Sequence, residues 1–144
     1  MSLQRFLDAQ TPNWSRITAE LASGVKVADW MLFVFPQLRG IETSAAGRYY
    51  AIADLAEAQA YLRHPVLGDR LRECTWAATQ HDAWPISRLF GLRDARVFCA
   101  SMTLFHEAAP HEALFCIALD AFFAGEPDQA TLQLLDAGAA PPAS

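Results

Sequence analysis

Six polar side chains stand close together in one stretch of this chain, residues 24–64: Lys26, Asp29, Gln37, Ser44, Tyr50 and His64, with Trp30 among them. The stretch reads GVKVADWMLFVFPQ, then an arm ending at Tyr49-Tyr50, then DLAEAQAYLRHPVLGDRL. Together these residue types can make a small-molecule site. Trp30 and Tyr50 supply aromatic walls, and polar tips such as Gln37 and Ser44 orient the ligand. Lys26, the only lysine, can hold an anionic group. Asp29 or His64 can serve as general base if a reaction occurs. The same residues also have a purely structural reading. Lys26 and Asp29 can pair at the surface, and Gln37 and Tyr50 can tie down loop backbone. His64, just before Pro65, can cap the next helix.

Other constellations fit known chemistry less well. His106-Glu107 and His111-Glu112 resemble the zinc motif His-Glu-x-x-His. That motif needs histidines at i and i+4 on one helix face, whereas here the spacing is five and Pro110 interrupts. Cys74, Cys99 and Cys116 are widely spaced with no Cys-x-x-Cys pair, so small buried thiols are expected rather than a zinc cage or a disulfide framework. The chain has no Gly-x-Gly-x-x-Gly, no phosphate-loop motif and no Gly-x-Ser-x-Gly elbow. No metal and no cofactor is expected.

Composition narrows the class. A chain of 144 residues suits one domain, and 53% apolar against 19% charged residues means that most of it should pack. No run approaches the ~20 uncharged apolar residues of a membrane span. The start, MSLQRFLDAQ, lacks the layout of a secretion signal, so a cytoplasmic protein is expected. Net charge is −5 with no Lys/Arg run, which argues against a nucleic-acid partner. A homo-oligomer is compatible with the composition.

The elements that must position the candidates are helices. Leu3, Phe6 and Leu7 suggest an opening helix after Ser2. Thr11-Pro12 looks like a cap followed by proline in the first turn, before Trp14, Ile17, Thr18 and Leu21 share a face and Gly24 stops the helix. Trp30 to Phe35 suits a strand or a short helix capped by Asp29 and ended by Pro36. No other strand-like run could pair with it, so helix is expected. Thr43 or Ser44 caps a helix through Ile52. Asp54 and Glu57 form a capping box for Leu55 to Arg63. Leu67, Leu71, Cys74 and Ala78 carry the next period, with Gly68 uninformative inside it. Pro85 to Phe90 is a short turn of helix ended by Gly91. Asp94 caps a helix in which Val97, Ser101, Leu104 and Phe105 share a face. Pro110 begins a helix stopped by Gly125, and Pro127 begins the last, through Leu135. The expected architecture is all-α: one irregular globule of about eight helices over residues 1–137, with a disordered tail over 138–144. Met31, Phe33, Phe35, Leu104, Phe105, Phe122 and Phe123 are core candidates. Trp76 and Trp84, around Gln80-His81-Asp82, are expected to be half-buried or to mark a partner surface.

At GVKVADWMLFVFPQ, EAQAYLRHPVLGDRL and ASMTLF the chain resembles a bacterial family of uncharacterised proteins, domain-of-unknown-function family 1810, sometimes labelled calpastatin-like. The match runs from Arg5-Phe6-Leu7 to Phe123-Ala124-Gly125-Glu126-Pro127 and includes Lys26, Trp30, Phe35-Pro36-Gln37, Ser44, Tyr50, His64-Pro65 and Arg70. The resemblance implies a mainly helical single domain and no particular reaction. Relative to the family pattern, Asp29 stands where histidine is usual, Leu32 where a second tryptophan is usual, and Val97 and Cys99 where basic residues are usual nearby. These changes remove cationic groups. If the family uses them to hold an anion, this member binds a different ligand or none. The function readings are therefore a helical domain binding or acting on a small metabolite through residues 24–64, a non-catalytic interaction or scaffold domain, or a diverged member without its ancestral activity.

Overall fold

A computed structural model describes residues 2–139 and is helical, with one hydrophobic core. Helix α1 (Gln4–Gln10) buries Phe6. A 3-10 turn, Thr11–Asn13, holds Pro12, so α2 (Trp14–Ser23) begins after the proline rather than on it. Helix α2 buries Ile17 and Leu21 and ends at Gly24, whose φ of 84° is one that side-chain-bearing residues avoid.

The apolar run is a helix, but only one turn of one: α3 (Met31–Val34). Asp29 does not cap it. Trp30 occupies the capping position and offers no side-chain bond. Beyond Pro36 the chain pairs briefly with a distant segment. Ile52 donates its N–H to Gln37 O and Arg39 donates to Ile52 O, each at 2.8 Å. This pairing explains why α4 (Ala45–Tyr49) stops short of Ile52, since the backbone of Ile52 is taken up by Gln37 and Arg39.

Helix α5 (Leu55–Arg63) is capped as expected, with Asp54 accepting from Glu57 N. The return half of the capping box is displaced by one residue, because Glu57 Oε1 accepts from Ala53 N at 2.9 Å. Helix α6 (Leu67–Thr79) follows. Gly68 is required there by close approach: a Cβ on it would lie 2.2 Å from Leu62 O.

Helix α7 (Ile86–Ala108) is two pieces joined at Gly91, whose φ of 83° and ψ of 165° are open essentially only to glycine. The second piece, residues 92–108, runs through the middle of the molecule and packs on α5, α3, α8 (Ala113–Phe123) and α9 (Gln129–Ala139). Phe35, Phe90 and Phe98 meet edge-on or tilted at 5.0–5.8 Å and anchor the core beside Trp30. Helix α8 starts at Ala113, after Pro110 rather than at it, and ends at Ala124 and Gly125, both with positive φ. Helix α9 runs beyond Leu135 to Ala139, so residues 138 and 139, expected to belong to the tail, are helical. The rest of the expected tail, 140–144, lies outside the described residues. Among the described residues no helix is long and apolar enough to cross a membrane.

Candidate functional site

The loop from Gly24 to Trp30 is organised by a residue that no sequence motif marks. Glu20, in the last turns of α2, accepts through one carboxylate oxygen from Val27 N (2.7 Å), Ala28 N (2.9 Å) and the indole N–H of Trp30 (3.0 Å). Burial works against its charge, but these donors outweigh burial and hold the carboxyl below its ordinary value. Lys26 pairs with Asp94, not with Asp29: Nζ lies 2.8 Å from Asp94 Oδ2, with the lysine side chain only 8% exposed. Asp94 is therefore an ion-pair partner and not the cap of a helix. Lys26 Nζ also sits 5.3 Å from the Trp30 ring centroid, and its backbone N–H donates to Leu89 O at 2.8 Å. Asp29 is exposed and makes no hydrogen bond among the described residues.

The remaining sequence candidates are distributed over the fold. Trp30 is 2% exposed, in the aromatic core against Phe35 and Phe90. Tyr50 packs between Phe6 and Phe33, and burial together with Tyr49 and Asp8 pushes its phenol pKa up. Ser44 caps α4 by accepting from Gly47 N at 3.1 Å. His64 Nδ1 accepts from Val66 N (3.1 Å) and Leu67 N (3.2 Å), which is the capping role foreseen for it. Gln37 alone among these residues lines a cleft between the loop after α3, α7 and α9.

That cleft encloses about 690 Å³, within the range of small-molecule sites. Its walls come from three elements that the sequence does not place side by side. The loop after α3 gives Gln37, Gly40, Ile41 and Glu42. The second piece of α7 gives Leu92, Arg93, Arg96, Val97 and Ala100. The start of α9 gives Asp128, Ala130, Gln133 and Leu134. Gln37 is 6% exposed, yet its carboxamide makes no hydrogen bond among the described residues. Its backbone is fixed by the Ile52 pairing, so the side chain is held at the cleft wall by a rigid strut. Arg93 and Arg96, exposed and one helical turn apart, make no ion pair with any described residue. Asp128 is occupied at the head of α9, where its Oδ2 accepts from Thr131 N (3.0 Å) and Thr131 Oγ1 (2.6 Å). Val97, at one of the departures from the family pattern, forms part of the apolar wall.

Of the polar residues lining this cleft, the sequence reading singled out Gln37 and not Arg93, Arg96, Glu42 or Asp128. Two exposed arginines at i and i+3 gave no sequence signal by themselves; only the fold sets them in front of a cleft.

Two further sequence features resolve simply. His106 lies in the last turn of α7 and His111 in the exposed turn beyond it, so the two do not share a helix. Among the described residues no group of three His, Cys, Asp or Glu side chains is placed to hold a metal ion. All three cysteines are free. Cys74 is buried and its thiol pKa is pushed up by burial, whereas Cys99 and Cys116 are half-buried rather than core. Burial, with Asp128 nearby, raises the Cys99 thiol to about 11, well above the range of a reactive thiolate. Trp76 and Trp84 are exposed, and Trp84 lies 3.9 Å beneath the Arg88 guanidinium.

The conserved hypothetical protein Rv1873 from Mycobacterium tuberculosis, known from a crystal structure, is similar to this chain: 42% identity, a TM-score of 0.91, and coverage of 93% of this chain and 96% of that one. No curated protein matches. Residues 1–135 match the family described as Protein of unknown function (DUF1810). The chain therefore belongs to that family, and the helical fold expected from the resemblance is the fold it has.

Proposed function

We propose that this domain binds a small metabolite in the cleft between the 37–42 loop, α7 and α9. One observation carries the reading: Gln37, on a backbone fixed by the Ile52 pairing, turns a carboxamide with no partner among the described residues to the wall of the cleft. A ligand amide, hydroxyl or carbonyl would pair with the Gln37 carboxamide at the cleft wall. In this reading Gln37 contacts the ligand. Lys26, Trp30, Ser44, Tyr50 and His64 hold the framework, because each already has a partner or a place in the core. Asp29 is exposed and lies outside the cleft lining, so it takes no part in this reading.

The test is a metabolite library screened by thermal shift against the parent and Gln37→Leu, which keeps the side-chain volume and removes both polar atoms. A hit raises the parent midpoint, and the variant loses that rise. Hits that stabilise both proteins equally place the site elsewhere and sink the reading.

A second reading, an interaction domain, draws on Val27, Trp76, Trp84 and Leu92, apolar side chains standing in solvent, Leu92 at 77% exposure. Sedimentation across a wide concentration range tests self-association. A monomer throughout, with no partner retained from a lysate, removes it.

A further inference from the structure

We infer that the ligand of this cleft carries a phosphomonoester, gripped jointly by Arg93 and Arg96. The inference rests on the reading above and adds the ligand's chemistry to it. Residues at i and i+3 of a helix are surface neighbours, so the two guanidinium groups can reach one anion. Without an anion, two like charges on one face repel, and neither arginine has an acidic partner among the described residues. Elsewhere in this protein arginines near carboxylates take them: Arg5 takes Glu57 and Arg72 takes Glu112. Arg16, Arg39, Arg48, Arg63, Arg70 and Arg88 make no ion pair among the described residues either; what sets Arg93 and Arg96 apart is that both line this cleft, one helical turn apart.

Two planar forks offer more donors than a carboxylate, with two oxygens, can accept. A phosphomonoester has three terminal oxygens and about −1.5 to −2 charge near neutral pH. The head of α9 borders the same cleft, and its backbone dipole favours an anion there, although Asp128 already satisfies Thr131 N. Glu42, also in the cleft and without a hydrogen-bond partner, disfavours a second anionic group and suits a hydroxyl or an amine. Val97, Ala100 and Leu134 form an apolar wall for the body of the molecule. The class is thus a small organic phosphate with a single anionic group and an otherwise neutral or cationic body, lying against Gln37.

Phenyl phosphate, benzoate and phenol are suitable probes, titrated into the full chain by calorimetry with arginine Nε–H NMR as a second readout. Phenyl phosphate should bind tightest and shift the Arg93 and Arg96 signals. Arg93→Gln or Arg96→Gln should each weaken it about tenfold, the usual scale for losing a charged hydrogen-bonding partner. The double variant should abolish the preference over phenol while leaving the unliganded melting midpoint unchanged. Phosphate binding no tighter than phenol, or undiminished in the double variant, overturns the inference, as does benzoate bound as tightly as phenyl phosphate. If phenol alone binds and Gln37→Leu removes it, the phosphate grip is wrong and the cleft reading stands. If no probe binds, the grip is again wrong, and the library screen decides the cleft separately.

Discussion

Arg5 and the pair Arg93 and Arg96 are the same side chain in opposite circumstances. Arg5 is buried, and every arm of its guanidinium is occupied: Nε donates to Tyr49 O (2.9 Å), Nη2 to Ala51 O (2.8 Å) and to Glu57 Oε1 (3.3 Å), and Nη1 to Ser2 O. It ties α1 to the segment that leads into α5. Arg93 and Arg96 reach into a cleft and hold nothing. Around Arg5 the polar groups of α1 and of the 49–57 stretch satisfy one another, whereas the 37–42, 92–100 and 128–134 walls leave Gln37 and two arginines without a partner among the described residues. A fold that needs a charge for its own integrity surrounds it with acceptors. A surface that keeps charges open has its polar groups free for something outside the chain.

This contrast can be broken by mutation. The largest effect should come from Arg5→Ala. It leaves the Glu57 carboxylate and the carbonyls of Tyr49 and Ala51 short of a donor in a buried setting, and one broken buried pair costs about 3–5 kcal/mol. Denaturant unfolding that shows under 1 kcal/mol would mean that Arg5 is no hub. Next is Gly68→Ala. Alanine is worth about 1 kcal/mol over glycine inside a helix, but a Cβ 2.2 Å from Leu62 O forces α5 and α6 apart. Overpacking of this kind costs about 1–3 kcal/mol, so the net change should be destabilising. A more stable variant would show that the α5–α6 corner yields.

Glu20→Ala should cost about 2 kcal/mol at neutral pH, since Val27 N, Ala28 N and the buried Trp30 indole all lose their acceptor. The pH dependence has a fixed sign. The folded carboxyl titrates below its ordinary 4.5, so its contribution is whole above that value and disappears as pH falls through the lower, folded value. The stability gap between parent and variant should therefore narrow in acid. A gap that is flat from pH 7 to 3 would mean that the three donors do not favour the charged form. The smallest stability effect belongs to the cleft: Arg93→Gln and Arg96→Gln should each stay within about 0.5 kcal/mol of the parent, as surface changes do. A large loss would place these arginines with Arg5 and erase the contrast.

What was legible in the sequence was local. The Asp54 cap, the Ser44 cap, the His64-Pro65 junction, the Gly24 stop and the Gly91 break each follow from a few neighbouring residues. What was not legible depends on meetings between distant segments. Lys26 and Asp29 are neighbours in sequence, which made their pairing the natural expectation. The fold instead brings the N-terminal part of α7 over the loop and gives Lys26 to Asp94. The Gln37–Ile52 pairing cut α4 short for the same reason, and Glu57 turned toward Ala53 N and Arg5 once α1 lay beside it. Gln37 was singled out because it stood beside aromatic residues. Arg93 and Arg96 were not, because exposed arginines carry no signal until a cleft forms in front of them.

Lys26 has one more consequence. It is the only side-chain amine in the chain, and it is shielded and paired with Asp94. Reagents that acylate amines will meet no ready lysine while the protein is folded. A covalent label can reach Lys26 only when the Gly24–Trp30 loop lifts from α7, so its rate of labelling, followed by mass spectrometry, clocks that opening without any engineered probe.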